Sequence, residues 1–229
     1  QTNGMAYEWN KTYDVRILAN YGLQGRMLGL NGIQTYPTLP GDEHGARTAE
    51  LIFSVWNPDI FITLYDIWMG AYTRNTGQSL EPIHRHWIPL IMVDHEPVPE
   101  GTAGQCQNAF KVVVPLHYGV EQLAKYGIEA THIPLGIDTN VFKSSLDKKA
   151  DKVWLAKRAT PVNTQRQLPL EEDSFLILMN GANKDPYRKG FMRMFTALQM
   201  FLDQNPEARH NTRVYIHSWM RQARDLPHG

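Results

Sequence analysis

The sequence predicts an α/β protein with two doubly wound, mostly parallel sheets. Three observations carry that expectation: short apolar runs bounded by turn residues, helical patterns spaced between them, and one long charged stretch that interrupts the alternation.

The runs are residues 14–19 (DVRILA), 60–64 (IFITL), 88–93 (IPLIMV), 111–114 (KVVV), 130–134 (ATHIP), 175–179 (FLILM) and 213–217 (RVYIH). Their brevity and near-continuous apolar character suit strands buried on both faces. Helical spacing follows at 47–56, through Leu51, Ile52, Val55 and Trp56, and at 120–126, where Gly127 closes the helix. A third helix, 190–203, aligns Phe191, Met194, Phe195, Leu198, Phe201 and Leu202 in one stripe and stops before Pro206. That stripe reads as core packing. The exception is 144–167, SSLDKKADKVWLAKRATPVNTQRQ, which is rich in charge and lacks a strand. Trp154 and Leu155 can anchor a short helix there, but the stretch reads as a crossing between sheets. The expected organisation is therefore a first domain over 1–142, a crossing over 143–170 and the start of a second domain over 171–229.

Composition narrows the function classes. Of 229 residues, 42% are hydrophobic and 20% charged, enough apolar material for one large core or two small ones. Lys plus Arg and Asp plus Glu balance at 23 each, so no overall field favours nucleic acid or an anionic membrane. Any basic site is local, and no nucleic-acid partner is expected. The single cysteine, Cys106, cannot form an intramolecular disulfide and reads as a buried small hydrophobe in a reducing compartment. No apolar stretch approaches the roughly 18 residues that span a bilayer. The opening residues, QTNGMAYEWNK, lack the basic start and apolar run of a signal peptide. A cytoplasmic protein without a transmembrane segment is expected, and peripheral membrane contact remains compatible with it.

In an open parallel sheet, ligands collect outside the carboxyl ends of the strands. That rule selects Asp66 after IFITLY, Asp94, His95 and Glu96 after IPLIMV, His117 after KVVVPL, Gly136 and Asp138 after ATHIPL, Asn180 to Lys184 after FLILM, and His217 and Ser218 at the last strand. His95 sits in DHEP, where a neutral imidazole can bind a sugar hydroxyl or steady developing charge, or serve as a structural histidine between two acids. Asp66 can bind an acceptor hydroxyl or cap the next helix. His84 and His86 in IHRHW have no ligand pair at metal spacing nearby, so no metal site is expected.

The strongest chemical signal is 180–191, NGANKDPYRKGF, which leaves a buried strand and enters an amphipathic helix. Gly181 permits close backbone approach, and Lys184, Arg188 and Lys189 place three cations within six positions. A diphosphate suits that arrangement. Charge-assisted hydrogen bonds contribute roughly 1.5 to 3 kcal/mol each, so two would supply a large share of the about 8 kcal/mol in a micromolar affinity. The segment lacks the spacing of a P-loop, which disfavours ATP or GTP hydrolysis.

Strand 88–93 with DHEP, then HIPLGIDTNVF, then FLILMNGANKDPYRKGF and a helix leading to RVYIHS resembles the retaining GT-B glycosyltransferases of family 4, the group 1 type. HIPLGIDTNVF is similar to the family's "nGvD..F" signature, and YRKGF to its "RKG" turn. The resemblance implies two Rossmann-like domains, the first binding acceptor and the second a UDP- or GDP-sugar. It implies transfer of a hexose to a saccharide or other hydroxyl acceptor with retention of configuration, without metal or further cofactor. Lys189 matches the family lysine at the donor diphosphate, with Gly181, Lys184 and Arg188 beside it. His95 matches the acceptor-side histidine near the transferred sugar, with Asp66, Asp94 and Glu96 on the same side. The family's arginine after glycine is replaced here by Ala182, Asn183 and Lys184. Lys184 would substitute as a point charge without arginine's fork.

The resemblance also implies a fragment. The family's first strand and glycine-rich turn are missing before QTNGMAYEW, and its donor glutamate pair would lie beyond Gly229. Glu121 and Glu129 have a similar spacing but sit in the wrong domain. Weak or no activity is expected of these residues alone. The alternative is another enzyme on the same architecture, such as a sugar-nucleotide epimerase or a phosphorylase.

Overall fold

Buried aliphatic runs become short parallel strands in the computed structural model, which describes residues 2–19, 23, 25–42, 44–69, 73–76, 79–158, 170–171, 173–182 and 187–218. The chain divides into two units, 1–139 and 140–229.

The first unit runs α1 (Thr2–Trp9), β1 (Arg16–Ala19), β2 (Leu28–Leu30), β3 (Ile33–Pro37), α2 (Ala46–Trp56), β4 (Phe61–Leu64), a 3-10 turn (Ile67–Met69), β5 (Thr73–Thr76), β6 (Ser79–Pro82), β7 (Trp87–Leu90), α3 (Glu100–Gln107), β8 (Val112–Val114), α4 (His117–Ala124) and β9 (Ala130–His132). Its main sheet has the order β4-β7-β8-β9 and is parallel throughout, with Phe61 opposite Trp87, Leu90 opposite Val113 and Val112 opposite Ala130. All four carboxyl ends therefore share one edge.

That sheet is held by its core. Trp87, Ile91, Val98, Cys106, Val112, Val114 and Leu123 are buried together. The Trp87 indole N–H donates to Thr63 Oγ1 at 3.0 Å, so the largest core side chain carries its polar atom inward without an orphaned donor. Strand β7 ends at Leu90, three residues short of the expected run, yet Ile91 and Val93 stay buried and the Ile91 N–H still reaches Val113 O. Apolar side chains hold that extension by packing, beside one remaining bond to β8.

Helix α4 lies close to the sheet because it carries Gly119. A Cβ there would come within 3.1 Å of Val114 Cβ. Its end is set by Gly127, which takes a positive φ of 70°. Helix α2 corrects an expectation. Of the expected stripe, Leu51 and Val55 are 55% and 87% exposed and Ile52 and Trp56 are half-buried, while Thr48 and Ala49 are buried and Phe53 packs on the core. The inward face is one step round the helix from the expected one, because sequence periodicity does not say which of two adjacent apolar stripes meets the sheet.

A separate sheet has the order β1-β3-β2, with β1 and β3 parallel and β2 antiparallel to β3. No ladder among the described residues joins it to the main sheet, although Leu18 of β1 packs on the same core. The β2–β3 hairpin was not foreseen, yet its signal is present: Asn31 and Gly32, both at positive φ, form a two-residue connection between Leu30 and Ile33. Strands β5 and β6 form a second unforeseen antiparallel pair.

Two polar devices brace the first unit. His84 Nε2–H donates to Pro58 O at 2.9 Å and its Nδ1 accepts the His86 N–H, while His86 Nδ1–H donates to Asp59 O. Each ring therefore ties the turn before β4 to the turn before β7. Asp42 Oδ2 accepts the Thr48 N–H at 2.8 Å and the Thr48 hydroxyl at 2.6 Å, capping the first turn of α2. Burial alone would raise the Asp42 pKa, but the Thr48 side-chain and backbone donors outweigh it and hold the carboxyl below its ordinary value.

The second unit contains α5 (Lys148–Arg158), β10 (Phe175–Asn180), α6 (Phe191–Gln204), a 3-10 turn (Pro206–Arg209) and β11 (Thr212–His217). Asp147 Oδ1 accepts the Lys149 and Ala150 N–H groups and so starts α5 inside the stretch expected to be a crossing. Strands β10 and β11 pair in parallel from Phe175 opposite Thr212 to Asn180 opposite His217. Two expectations fail here. Phe175 and Leu178 are 58% and 61% exposed, so β10 is not buried on both faces. Of the α6 stripe only Phe191 is buried, and Phe195 and Phe201 are exposed. No helix among the described residues is long and apolar enough to cross a membrane.

Two predictions follow from these contacts. Gly119→Ala should lower stability in urea denaturation by about 1–3 kcal/mol, because the new methyl group overpacks Val114. An unchanged midpoint would show that α4 can retreat. Asp42→Asn should destabilise by about 1 kcal/mol at neutral pH. Because the folded carboxyl pKa is depressed, that contribution is present above the unfolded value near 4 and is lost as pH falls through the folded value, so the wild type and variant should converge in strong acid.

Candidate functional site

Two strand edges carry the candidate residues, one in each unit. In the first unit the edge is built by the parallel order β4-β7-β8-β9, which sets the turn after β4 beside the loop after β7 and then the start of α4.

His95 and Asp94 lie on the loop after β7, both largely exposed, and His95 Nδ1 is hydrogen-bonded to Asp94 Oδ1. A carboxylate can only accept, so Nδ1 carries the hydrogen and the neutral ring presents its Nε2 lone pair outward. The pair can accept a hydrogen bond from a hydroxyl through Nε2. Glu96 serves a different contact. Its carboxylate is 2.6 Å from Lys125 Nζ, and that ammonium holds its pKa below the ordinary value. The Lys125 ammonium also reaches Gln122 Oε1 at 2.9 Å, so Glu96 ties the loop to the end of α4. Asp66 is exposed, and its carboxylate has no hydrogen-bond partner among the described residues. Its backbone carbonyl, rather than its side chain, closes the next turn by accepting the Met69 N–H.

His117 opens α4, and its ring stacks on His132 at 3.8 Å between centroids and 36° between planes. His132 Nε2–H donates to Pro115 O. Sequence reasoning singled out His117 but missed His132, which β9 places opposite Val114. Only the strand register reveals that neighbour.

In the second unit the edge is the carboxyl end of β10. The Gly181 N–H donates to His217 O at 3.0 Å and extends the parallel ladder past the strand. A Cβ on Gly181 would lie 3.5 Å from Lys189 Cγ and 3.6 Å from the Phe191 ring. The Lys189 stem thus folds back over the glycine, and its ammonium has no ion-pair or hydrogen-bond partner among the described residues. Gly190, at φ 66°, turns the chain into α6 without a side-chain cap, leaving the first N–H groups of a 14-residue helix next to Lys189. Arg188 is exposed in the same turn. Lys184 lies outside the described residues. The Ser218 hydroxyl, just beyond β11, is shielded from solvent with no hydrogen-bond partner among the described residues.

Elsewhere the chemistry is sparse. Burial pushes the Cys106 thiol up to about 12, which leaves it protonated and unreactive. No group of three or more His, Cys, Asp or Glu side chains among the described residues could hold a metal ion.

The His95 geometry predicts its tautomer. Nitrogen-15 NMR above neutral pH should find His95 with hydrogen on Nδ1, and Asp94→Ala should shift it toward the Nε2–H form. An Nε2–H ring in the wild type would remove the proposed acceptor lone pair. Comparison with known proteins supplies no relative: no family model matches the chain, and no curated protein or solved structure matches it either.

Proposed function

We propose that the chain belongs to a retaining glycosyltransferase of GT-B type, with a UDP- or GDP-sugar as donor and a saccharide or other hydroxyl compound as acceptor. The reading rests on the motifs NGANKDPYRKGF, HIPLGIDTNVF and DHEP and on an α/β fold with parallel strands. The observation that carries it is the Lys189 stem lying over Gly181 at the carboxyl end of β10, beside the uncapped start of α6.

A diphosphate at that position would meet a point charge from Lys189 and the N–H groups of the first α6 turn together. Both favour an anion, and neither needs a metal. The absence of a side chain at Gly181 leaves room for the Lys189 stem, while the Gly181 N–H is committed to His217 O. As the glycosidic bond to the leaving nucleotide breaks, negative charge grows on the β-phosphate. Lys189 then stabilises the departing group more strongly than the ground state, which is the condition for rate acceleration. Arg188, in the same turn, is a second cation for the outer phosphate oxygens. On the acceptor side, the Asp94–His95 pair is suited to hold a hydroxyl through Nε2.

The closest rival is another GT-B enzyme that would share the diphosphate site but not the transfer to an acceptor. Release of free nucleotide only when acceptor is added would exclude it. Removing the ammonium tests the site itself. Lys189→Ala should weaken UDP or GDP binding, measured by calorimetry, by at least about tenfold, equivalent to about 1.4 kcal/mol. Equal affinity in the variant would eliminate Lys189 as a phosphate contact.

A further inference from the structure

We propose that the turn after β4 is a saccharide platform, with the Trp68 indole as its stacking face and the Asp66 carboxylate as its hydroxyl acceptor. That the bound saccharide is the acceptor of glycosyl transfer rests on the glycosyltransferase reading; the binding itself does not.

Trp68 is 70% exposed, the most exposed tryptophan among the described residues. It is not carried on a frayed loop. Ile67, immediately before it, is buried, the Asp66 carbonyl accepts the Met69 N–H at 2.9 Å, and α3 packs against the turn. The 3-10 turn is thus anchored from inside while its middle residue stays in solvent. Asp66, on the other side of Ile67, is exposed with no hydrogen-bond partner for its carboxylate among the described residues. Parallel pairing of β4 with β7 brings the Asp94–His95 loop to the same edge.

These groups match the two chemistries of a sugar ring. A pyranose has an apolar face of C–H groups, slightly positive, which stacks on the electron-rich face of an indole. Its rim of hydroxyls donates hydrogen bonds, and a carboxylate free of other partners accepts two at once. An aromatic side chain on a fixed backbone gives contact area at modest entropic cost, because only its two side-chain torsions are restricted on binding. A charged or purely apolar ligand would use only half of this pairing.

The test uses the whole chain without nucleotide, so that a failure of the donor-site reading cannot affect it. Maltotriose, cellotriose and mannotriose are added separately and followed by saturation-transfer NMR and by calorimetry. At least one should bind in the millimolar range, about 4 kcal/mol, through its C–H face. Trp68→Ala should weaken it at least about tenfold, Trp68→Phe should retain it within about threefold, and Asp66→Asn should fall between them. Circular dichroism melting should be unchanged in all three variants, since neither side chain is buried. The proposal is overturned if no trisaccharide binds, or if Trp68→Ala binds as well as the wild type. It is equally overturned if sedimentation reveals a dimer that Trp68→Ala abolishes, because a second copy would then cover the indole. Loss of nucleotide binding in Lys189→Ala with intact trisaccharide binding would support the platform and the donor site independently.

Discussion

Parallel pairing is the constraint on which everything else in the first unit depends. Because β4, β7, β8 and β9 run in one direction, Asp66, the Asp94–His95 pair and the His117–His132 stack are delivered to a single edge from four separate stretches of chain. Parallel strands cannot be joined by tight turns, so each needs a crossover, and the crossovers bring the burial that stabilises the sheet. Trp87 and Leu123 illustrate the coupling: one comes from a strand and the other from the helix after the next strand, and both are fully buried. The opposite ends of the same strands are committed to structure. There the His84 and His86 rings are used up on the Pro58 and Asp59 carbonyls.

Much of this was legible in the sequence, for a physical reason. Buried parallel strands need continuous apolar runs, and VVV at 112–114, buried at all three positions, has few other uses; FLILM at 175–179 gave the strand but not its exposed Phe175 and Leu178. What was illegible depended on which surface each element meets. Helix α2 offers two neighbouring apolar stripes, and only the sheet chooses the one with Ala49 and Phe53 over the one with Leu51 and Val55. The Asn31-Gly32 hairpin was legible but short, and its exposed Leu28 and Leu30 gave no alternation to mark a strand. At the site, Asp94 and His95 could be placed from the rule about strand ends, whereas the ion pair between Glu96 and Lys125 joins residues far apart in sequence and needed the fold.

The second unit shows the same rule with fewer strands. Its two-stranded parallel sheet still sends Gly181 and His217 to one edge and still starts a long helix there. Lys189 gains its significance from that arrangement. A lysine in a charged turn is ordinarily solvated, but this one folds its stem over a glycine and leaves its ammonium beside uncapped helix N–H groups. The exposed faces of β10 and α6 do not disturb this local geometry, since Phe191 and Met179 are both buried next to it.

The central claim is that this corner holds a nucleotide diphosphate, and amide mapping tests it most directly. On titration of the nitrogen-15-labelled chain with UDP or GDP, the largest shifts should cluster at Gly181, at Lys189 and Gly190, and through the first turn of α6 from Phe191 to Met194. Shifts confined to the first unit, or no saturable shifts with either nucleotide, would contradict it.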